Sequence, residues 1–380
     1  MTDRILFVDD DPNLLASFRR QLRRQFQIET ALGGPEGLEL VEHNGPYSVI
    51  ISDFRMPHMN GIEFLARVRE MAPDTIRIML TGNADMQAAI QAVNEGNIFR
   101  FLTKPCSVDL LGESLDTGIE QYQQVTQERA YNKKSRHSMA QAMEVQQHLI
   151  PKADPDVEGL DIAGKCIFCD ETGGDYYDFF DRGQRDNGKI CVVVGDVSDH
   201  GVSSALLMTS ARAFLRERSL KPGGIASIVT DVNRQLSRDV EMSSQFMTLF
   251  FSELDAKNRQ ICWVRAGHDP AIVYDPGSHE FDELKGRGLP LGVMEDSEYS
   301  ESQYHLAPGQ IIAISTDGIC EATNSDDAMF GKNRLRRIIC ENAAKPAKEI
   351  VSAVIHDFQE FIHPTPQGDD ATLVVIKVES

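Results

Sequence analysis

Five short apolar runs pace the first 105 residues, at 5–8, 28–31, 49–52, 76–80 and 99–103, with helix-like stretches such as 14–25 and 61–71 between them. This alternation predicts a doubly wound α/β domain on a five-stranded parallel sheet, with ligands at the carboxyl ends of the strands. Those ends carry chemistry. Asp9 and Asp10 follow the first run, Asp53 the third, Thr81 the fourth, and Lys104, held before Pro105, the fifth. Acids converging on one edge can hold a magnesium ion. Asp53 is then placed to attack a phosphoryl donor, with Lys104 and Thr81 against its oxygens. Asp11 reads as a helix cap.

The pieces V-D-D-D, S-D-F-R-M-P-H-M-N-G, L-T-G and F-L-T-K-P occur here in order. Residues 1–120 thereby resemble the receiver domain of two-component response regulators, of the CheY type. The resemblance implies that Asp53 is the phosphoacceptor. It also implies that Asp9, Asp10, Asp53 and the Arg55 carbonyl hold Mg2+, and that Thr81, Phe101 and Lys104 form the switch. An upstream histidine kinase or phosphotransfer protein would be the phosphoryl source.

Residues 107–150 lack proline and are rich in Gln, Glu and Ala. Leu115, Tyr122 and Val125, then Met139, Met143 and Ile150, recur near heptad spacing around a polar middle at 129–136. The pattern predicts a long helix with an interrupted coiled coil, and so a homodimer. Pro151 ends it.

From residue 158 to 380 the texture changes to many strand-like runs: 161–168, 176–181, 190–196, 246–254, 260–266, 310–315 and 372–378. Helical runs fall at 203–219, 225–240, 332–341 and 347–361. Two antiparallel sheets sandwiched by helices, an α+β domain, is the layered solution. Four aspartates stand beside glycine or at strand ends: Asp175 in G-G-D-Y-Y-D-F-F, Asp196 in V-V-V-G-D-V-S-D-H-G, Asp317 in S-T-D-G-I and Asp369 in G-D-D-A-T-L. Converging carboxylates repel one another and call for cations. Hard oxygen ligands suit magnesium or manganese, and a pair of such ions suits attack on phosphorus. Asp369 is preferred to Asp370 because strand alternation turns only one of the two toward the edge.

These motifs, with Q-Q-H-L-I-P before them and F-M-T-L, A-G-H-D-P and G-L-P-L-G-V between, resemble the PPM-type serine/threonine phosphatases of the SpoIIE/RsbU branch. The resemblance implies two Mn2+ or Mg2+ ions held by Asp175, Asp196, the Val197 carbonyl, Asp317 and Asp369, with Asp196 bridging. Water activated by the ions is the implied nucleophile. His200 and His268 are candidate substrate contacts. The implied substrate is a phosphorylated anti-sigma antagonist of the STAS type. The alternative is a catalytically silent, phospho-gated adaptor that binds a sigma factor or a partner-switching protein. Two positions depart from the family pattern: Asp199 stands where Gly is usual, and Asp269 where Asn is usual.

The net charge is -20, and beyond Lys104 the chain holds 27 basic against 44 acidic residues. Such a chain is expected to avoid nucleic acid and membrane surfaces. Seven scattered cysteines suit reduced thiols and a cytoplasmic setting.

Overall fold

The N-terminal apolar runs form one parallel sheet in the order β2-β1-β3-β4-β5. The strands are β1 (Arg4–Asp9), β2 (Gln27–Leu32), β3 (Val49–Asp53), β4 (Ile76–Thr81) and β5 (Arg100–Thr103). The computed structural model describes residues 3–82, 98–183 and 189–379. Successive side chains leave opposite faces of a strand, so each run feeds two cores. Ile5, Phe7, Val49, Ile51 and Ile78 pack with Leu15, Phe18 and Leu22 of α1 (Pro12–Leu22). Leu6, Val8, Ile50 and Met79 pack with Val41 of α2 (Gly34–Asn44) and with Phe64, Leu65 and Val68 of α3 (Gly61–Met71). Asp11 caps α1 by accepting from the Asn13 amide at 2.8 Å, and Asn60 caps α3 through the Glu63 amide at 2.9 Å. Helix α1 stops at Leu22, three residues short of the expected run.

One helix, α4 (Val108–Gln147), spans the predicted linker. Leu111 and Leu115 are buried in the first core, with Ile119 and Tyr122 packed against it. This corrects the heptad reading at Leu115 and Tyr122. Their apolar surface is used within the receiver unit, so they do not form a free seam. From Gln127 to Lys134 every residue of α4 is exposed.

The chain divides into compact units Met1–Arg136 and His137–Ser380. The second unit is a sandwich of two antiparallel sheets, ordered β14-β11-β10-β9-β8 and β13-β12-β15-β16-β7-β6. In the first of these, β8 (Tyr176–Phe180), β9 (Lys189–Val197) and β10 (Met247–Asp255) lie beside β11 (Gln260–Ala266) and β14 (Ser302–His305). The second contains β6 (Asp156–Val157), β7 (Leu160–Ile167), β12 (Ala271–Asp275), β13 (Glu280–Leu284), β15 (Ile311–Ser315) and β16 (Ala371–Val378). Val192 and Val194 of β9 meet Val374 and Ile376 of β16 in the core between the sheets. Their neighbours Cys191 and Val193 face the opposite way, onto α5 (Val202–Ser219) and α6 (Ile225–Val240). Leu373 and Val375 likewise face α8 (Gly331–Glu341) and α9 (Ala347–Ile362). Helix, sheet, sheet, helix is the resulting layer order. The one-turn helix α7 (Asp317–Cys320) and strands β6, β12, β13 and β14 were not anticipated from the sequence. Among the described residues no helix is long and apolar enough to cross a membrane.

Asp178 of β8 is wholly buried and accepts from Arg216 Nε and Nη2, both at 2.6 Å, and from the Tyr176 hydroxyl at 2.8 Å. Removing Arg216 would leave that carboxylate buried with Arg212 no nearer than 3.6 Å. Arg216→Ala should therefore cost about 3 kcal/mol of unfolding free energy. The loss should appear in denaturant melts followed by the single tryptophan, Trp263 of β11. A change below about 0.5 kcal/mol, the level of ordinary surface substitutions, would contradict this role for the pair.

Candidate functional site

In the first unit, β1 and β3 are neighbours, so Asp9 and Asp53 end adjacent strands. Lys104, just after β5, reaches both: its Nζ lies 2.7 Å from Asp9 Oδ2 and 2.5 Å from Asp53 Oδ1. Burial alone would lower the lysine's pKa, but hydrogen bonds and attraction from Asp53 and Asp9 outweigh it and hold the pKa above the ordinary value. The Arg55 amide donates to Asp53 Oδ2 at 2.9 Å, and the Asp11 amide to Asp9 Oδ1 at 2.9 Å. Asp9 and Asp53 are buried, whereas Asp10 is exposed beside them. Thr81 is buried at the end of β4. The β4–β5 register pairs Met79 with Phe101 and Thr81 with Thr103, which puts Thr81 and half-buried Phe101 on one face of the sheet. Gly61 permits α3 to start against the acceptor strand, since a Cβ there would lie 2.1 Å from the Asp53 carbonyl oxygen.

The second unit gathers its aspartates by strand pairing. Strands β8 and β9 are antiparallel with Tyr176 opposite Gly195, so Asp175 before β8 and Asp196 near the end of β9 share one end of their sheet. Strands β15 and β16 are antiparallel with Ser315 opposite Leu373, so Asp317 and Asp369 share one end of theirs. Hydrogen bonds join the two ends. Thr316 Oγ1 donates to Asp175 Oδ2 at 2.8 Å and accepts the Thr372 amide at 3.0 Å. The Asp370 carboxylate accepts the amides of Cys169 at 2.8 Å, Gly174 at 2.7 Å and Asp175 at 3.3 Å. Gly318 lets the backbones cross, because a Cβ there would meet the Asp370 carbonyl oxygen at 1.8 Å.

Electrostatics record the crowding. Burial, then the charges of Asp317, Asp369 and Asp370, push Asp196 up to about 8. Burial, then Asp196 and Asp370, raise Asp175 well above the carboxylate range. Asp317 and Asp369 are raised too, each mainly by burial. An all-oxygen donor set held at this electrostatic cost fits hard divalent cations, which remove the repulsion. The Val197 carbonyl lies against Gly174, where a Cβ would come within 2.8 Å of it.

Other residues named from the sequence take different positions. His200 is exposed, with Nδ1 2.6 Å from Asp170 Oδ2. His268 is buried beside the Thr248 hydroxyl at 2.8 Å, and burial drives its pKa down to about 4, so it is neutral near pH 7. Asp199 adopts a left-handed φ of 64°, a conformation in which Asp is among the better tolerated non-glycine residues. Asp269 forms an ion pair with Lys332 at 2.8 Å, which offsets its charge.

Sequence reasoning missed three supports. Thr316 and Asp370 act through contacts that no spacing reveals. Gln146, buried near the end of α4, donates to the Gly173 carbonyl at 2.6 Å and accepts the Gly173 amide at 3.2 Å. Its signal was its place in Q-Q-H-L-I-P.

Without cations, the folded chain binds protons on Asp196 that the unfolded chain releases above the ordinary value of 3.8. In a chelator, unfolding free energy of the second unit should therefore fall as pH rises from 3.8 to about 8. Manganese(II) or magnesium should restore the loss. A flat profile followed by Trp263 fluorescence would contradict the crowding.

The response regulator receiver domain family model matches residues 5–116, and the Stage II sporulation protein E (SpoIIE) family model matches residues 186–379. The Bacillus subtilis (strain 168) protein named Phosphoserine phosphatase RsbU is 28% identical over 280 residues, covering 71% of this chain and 79% of that protein. The hydrogenase transcriptional regulatory protein HoxA of Cupriavidus necator is 35% identical over 116 residues, or 30% of this chain and 24% of its own length. Among solved structures, the SiaA-PP2C domain of Pseudomonas aeruginosa superposes with a TM-score of 0.57 at 25% identity, covering 66% of this chain and 99% of that one. The chain belongs to the SpoIIE family and carries a response regulator receiver domain ahead of its SpoIIE domain.

Proposed function

We propose that the chain is a response regulator whose output is a metal-dependent phosphoserine/phosphothreonine protein phosphatase. The observation that carries this reading is the meeting of Asp175, Asp196, Asp317 and Asp369 at one end of the sandwich, with carboxylate pKa values raised by burial and by one another. Similarity to a protein named as a phosphoserine phosphatase supports it. These four residues and the Val197 carbonyl would hold the cations. When bound, the pair would supply charge stabilisation for phosphoryl oxygens and a water nucleophile at neutral pH. Asp370 and Thr316 keep the Asp175 backbone and carboxylate in place. Buried His268 serves as a neutral hydrogen-bonding element beside Thr248. His200 is exposed near Asp369, with its Nδ1 engaged by Asp170.

In the receiver, Asp53 accepts the phosphoryl group from a histidine kinase or phosphotransfer protein. Its carboxylate oxygen attacks phosphorus and the donor histidine leaves. Lys104 already bridges Asp53 and Asp9 and would neutralise the new charge. Asp9, Asp10, Asp53 and the Arg55 carbonyl would hold magnesium, and Thr81 and Phe101 would change position together. Helix α4 carries the change, in a homodimer, and the substrate class is a phosphorylated STAS-type antagonist.

Two measurements test the reading. Asp196→Asn should lower manganese-dependent hydrolysis of a phosphoserine protein by at least the ~10²–10³-fold that losing one preorganised electrostatic contact costs. Absence of turnover in the wild type would remove the enzyme assignment and favour a silent adaptor, and full activity in Asp196→Asn would remove the assignment of the centre to these aspartates. Beryllofluoride, a mimic of the acylphosphate, should change the turnover of the wild type and leave Asp53→Ala unaffected. Equal rates with and without it in the wild type would remove receiver control.

A further inference from the structure

A second group of ligating side chains lies beside the aspartate centre but differs from it in chemistry. Cys169 and Asp170 follow β7, and His200 follows β9 in the loop that leads to α5. One ligand atom from each, the Cys169 sulfur, an Asp170 carboxylate oxygen and a His200 ring nitrogen, all lie within 4.8 Å of one another. Their frame is anchored, because the Cys169 amide is held by Asp370 Oδ1 at 2.8 Å. The site is also open: the side chains of His200 and Asp170 are 55% and 46% exposed.

We propose that Cys169, Asp170 and His200 form a zinc(II) site separate from the aspartate centre. Thiolate and imidazole are soft to borderline donors that select zinc, whereas the all-oxygen aspartate set suits magnesium or manganese. Zinc holds sulfur at about 2.3 Å and nitrogen or oxygen at about 2.0–2.2 Å in tetrahedral geometry. Ligand atoms around it therefore stand roughly 3.3–3.7 Å apart. The three ligand atoms, within 4.8 Å of one another, would adjust to that span as the 2.6 Å hydrogen bond between His200 and Asp170 is exchanged for coordination. Zinc binding would release the Cys169 thiol proton to solvent. Cys166, three residues before Cys169, is packed against the core between the sheets within β7 and takes no part. Loaded zinc would tie the loop after Asp196 to the turn before Gly173, and so restrain the segment that carries an aspartate of the main centre.

Cobalt(II) titration of the full chain tests this independently of any phosphatase activity, because a cobalt–thiolate charge-transfer band in the near ultraviolet arises only where sulfur is a ligand. The wild type should develop this band to one equivalent and lose it on adding zinc. Cys169→Ser should abolish it, His200→Ala should weaken cobalt binding at least ~10-fold, the lower bound for disturbing a metal's ligand environment, and Asp196→Asn should retain it. Absence of the band in the wild type, or its persistence in Cys169→Ser, would overturn the proposal.

Discussion

The carboxylate of Asp370 is the joint on which the second unit's site depends. It lies immediately before β16 in one sheet, yet it accepts the amides of Gly174 and Asp175, which lead into β8 of the other. Backbone N–H groups are fixed dipoles, so they hold this acid without adding a mobile side chain. Thr316 makes the complementary link, from the end of β15 to the Asp175 carboxylate. Sheet packing brings two strand ends together, and these bonds convert nearness into a fixed arrangement. Four more acids are then confined where burial and mutual repulsion raise their proton affinity. The site is held against its own charge by the fold, which is the condition under which cations bind tightly.

Much of this was legible in the sequence, for identifiable reasons. The helix at 61–71 and the strand at 260–266 have the same bounds in the structure, because strong periodicity lies between clear breaks. Strands β13 and β14 were missed because they are polar edge strands, Glu280–Leu284 and Ser302–His305, at the margins of their sheets. Such edges lack the apolar run that signals a strand. Strand β12 is a short segment, Ala271–Asp275, that begins directly after Pro270 and ends before Pro276. The aspartates themselves stood out beside their glycines. Their supports did not: Asp370 lies 195 or more residues from the amides it holds near Asp175, and no local pattern encodes such a contact.

Helix α4 shows how the same pattern can serve two purposes. Apolar positions at heptad spacing were read as a seam, yet Leu115 and Tyr122 are used inside the first unit, where burial is available to them. Periodicity identifies an apolar face and leaves its partner open. At its far end the helix places Gln146 on both backbone groups of Gly173, two residues before Asp175. An uninterrupted helix thus contributes to the receiver's core at one end and to the support of an aspartate loop at the other.

The central proposal is that the aspartates of two sheets would hold two cations at a single centre, with Asp196 shared between them. Low-temperature electron paramagnetic resonance of the manganese-loaded chain tests it most directly. Two ions bridged by one carboxylate are exchange-coupled and give the broad multiline spectrum of a manganese pair. That spectrum is expected in the wild type, with collapse to isolated-ion lines in Asp196→Asn. Isolated-ion lines alone in the fully loaded wild type would contradict it.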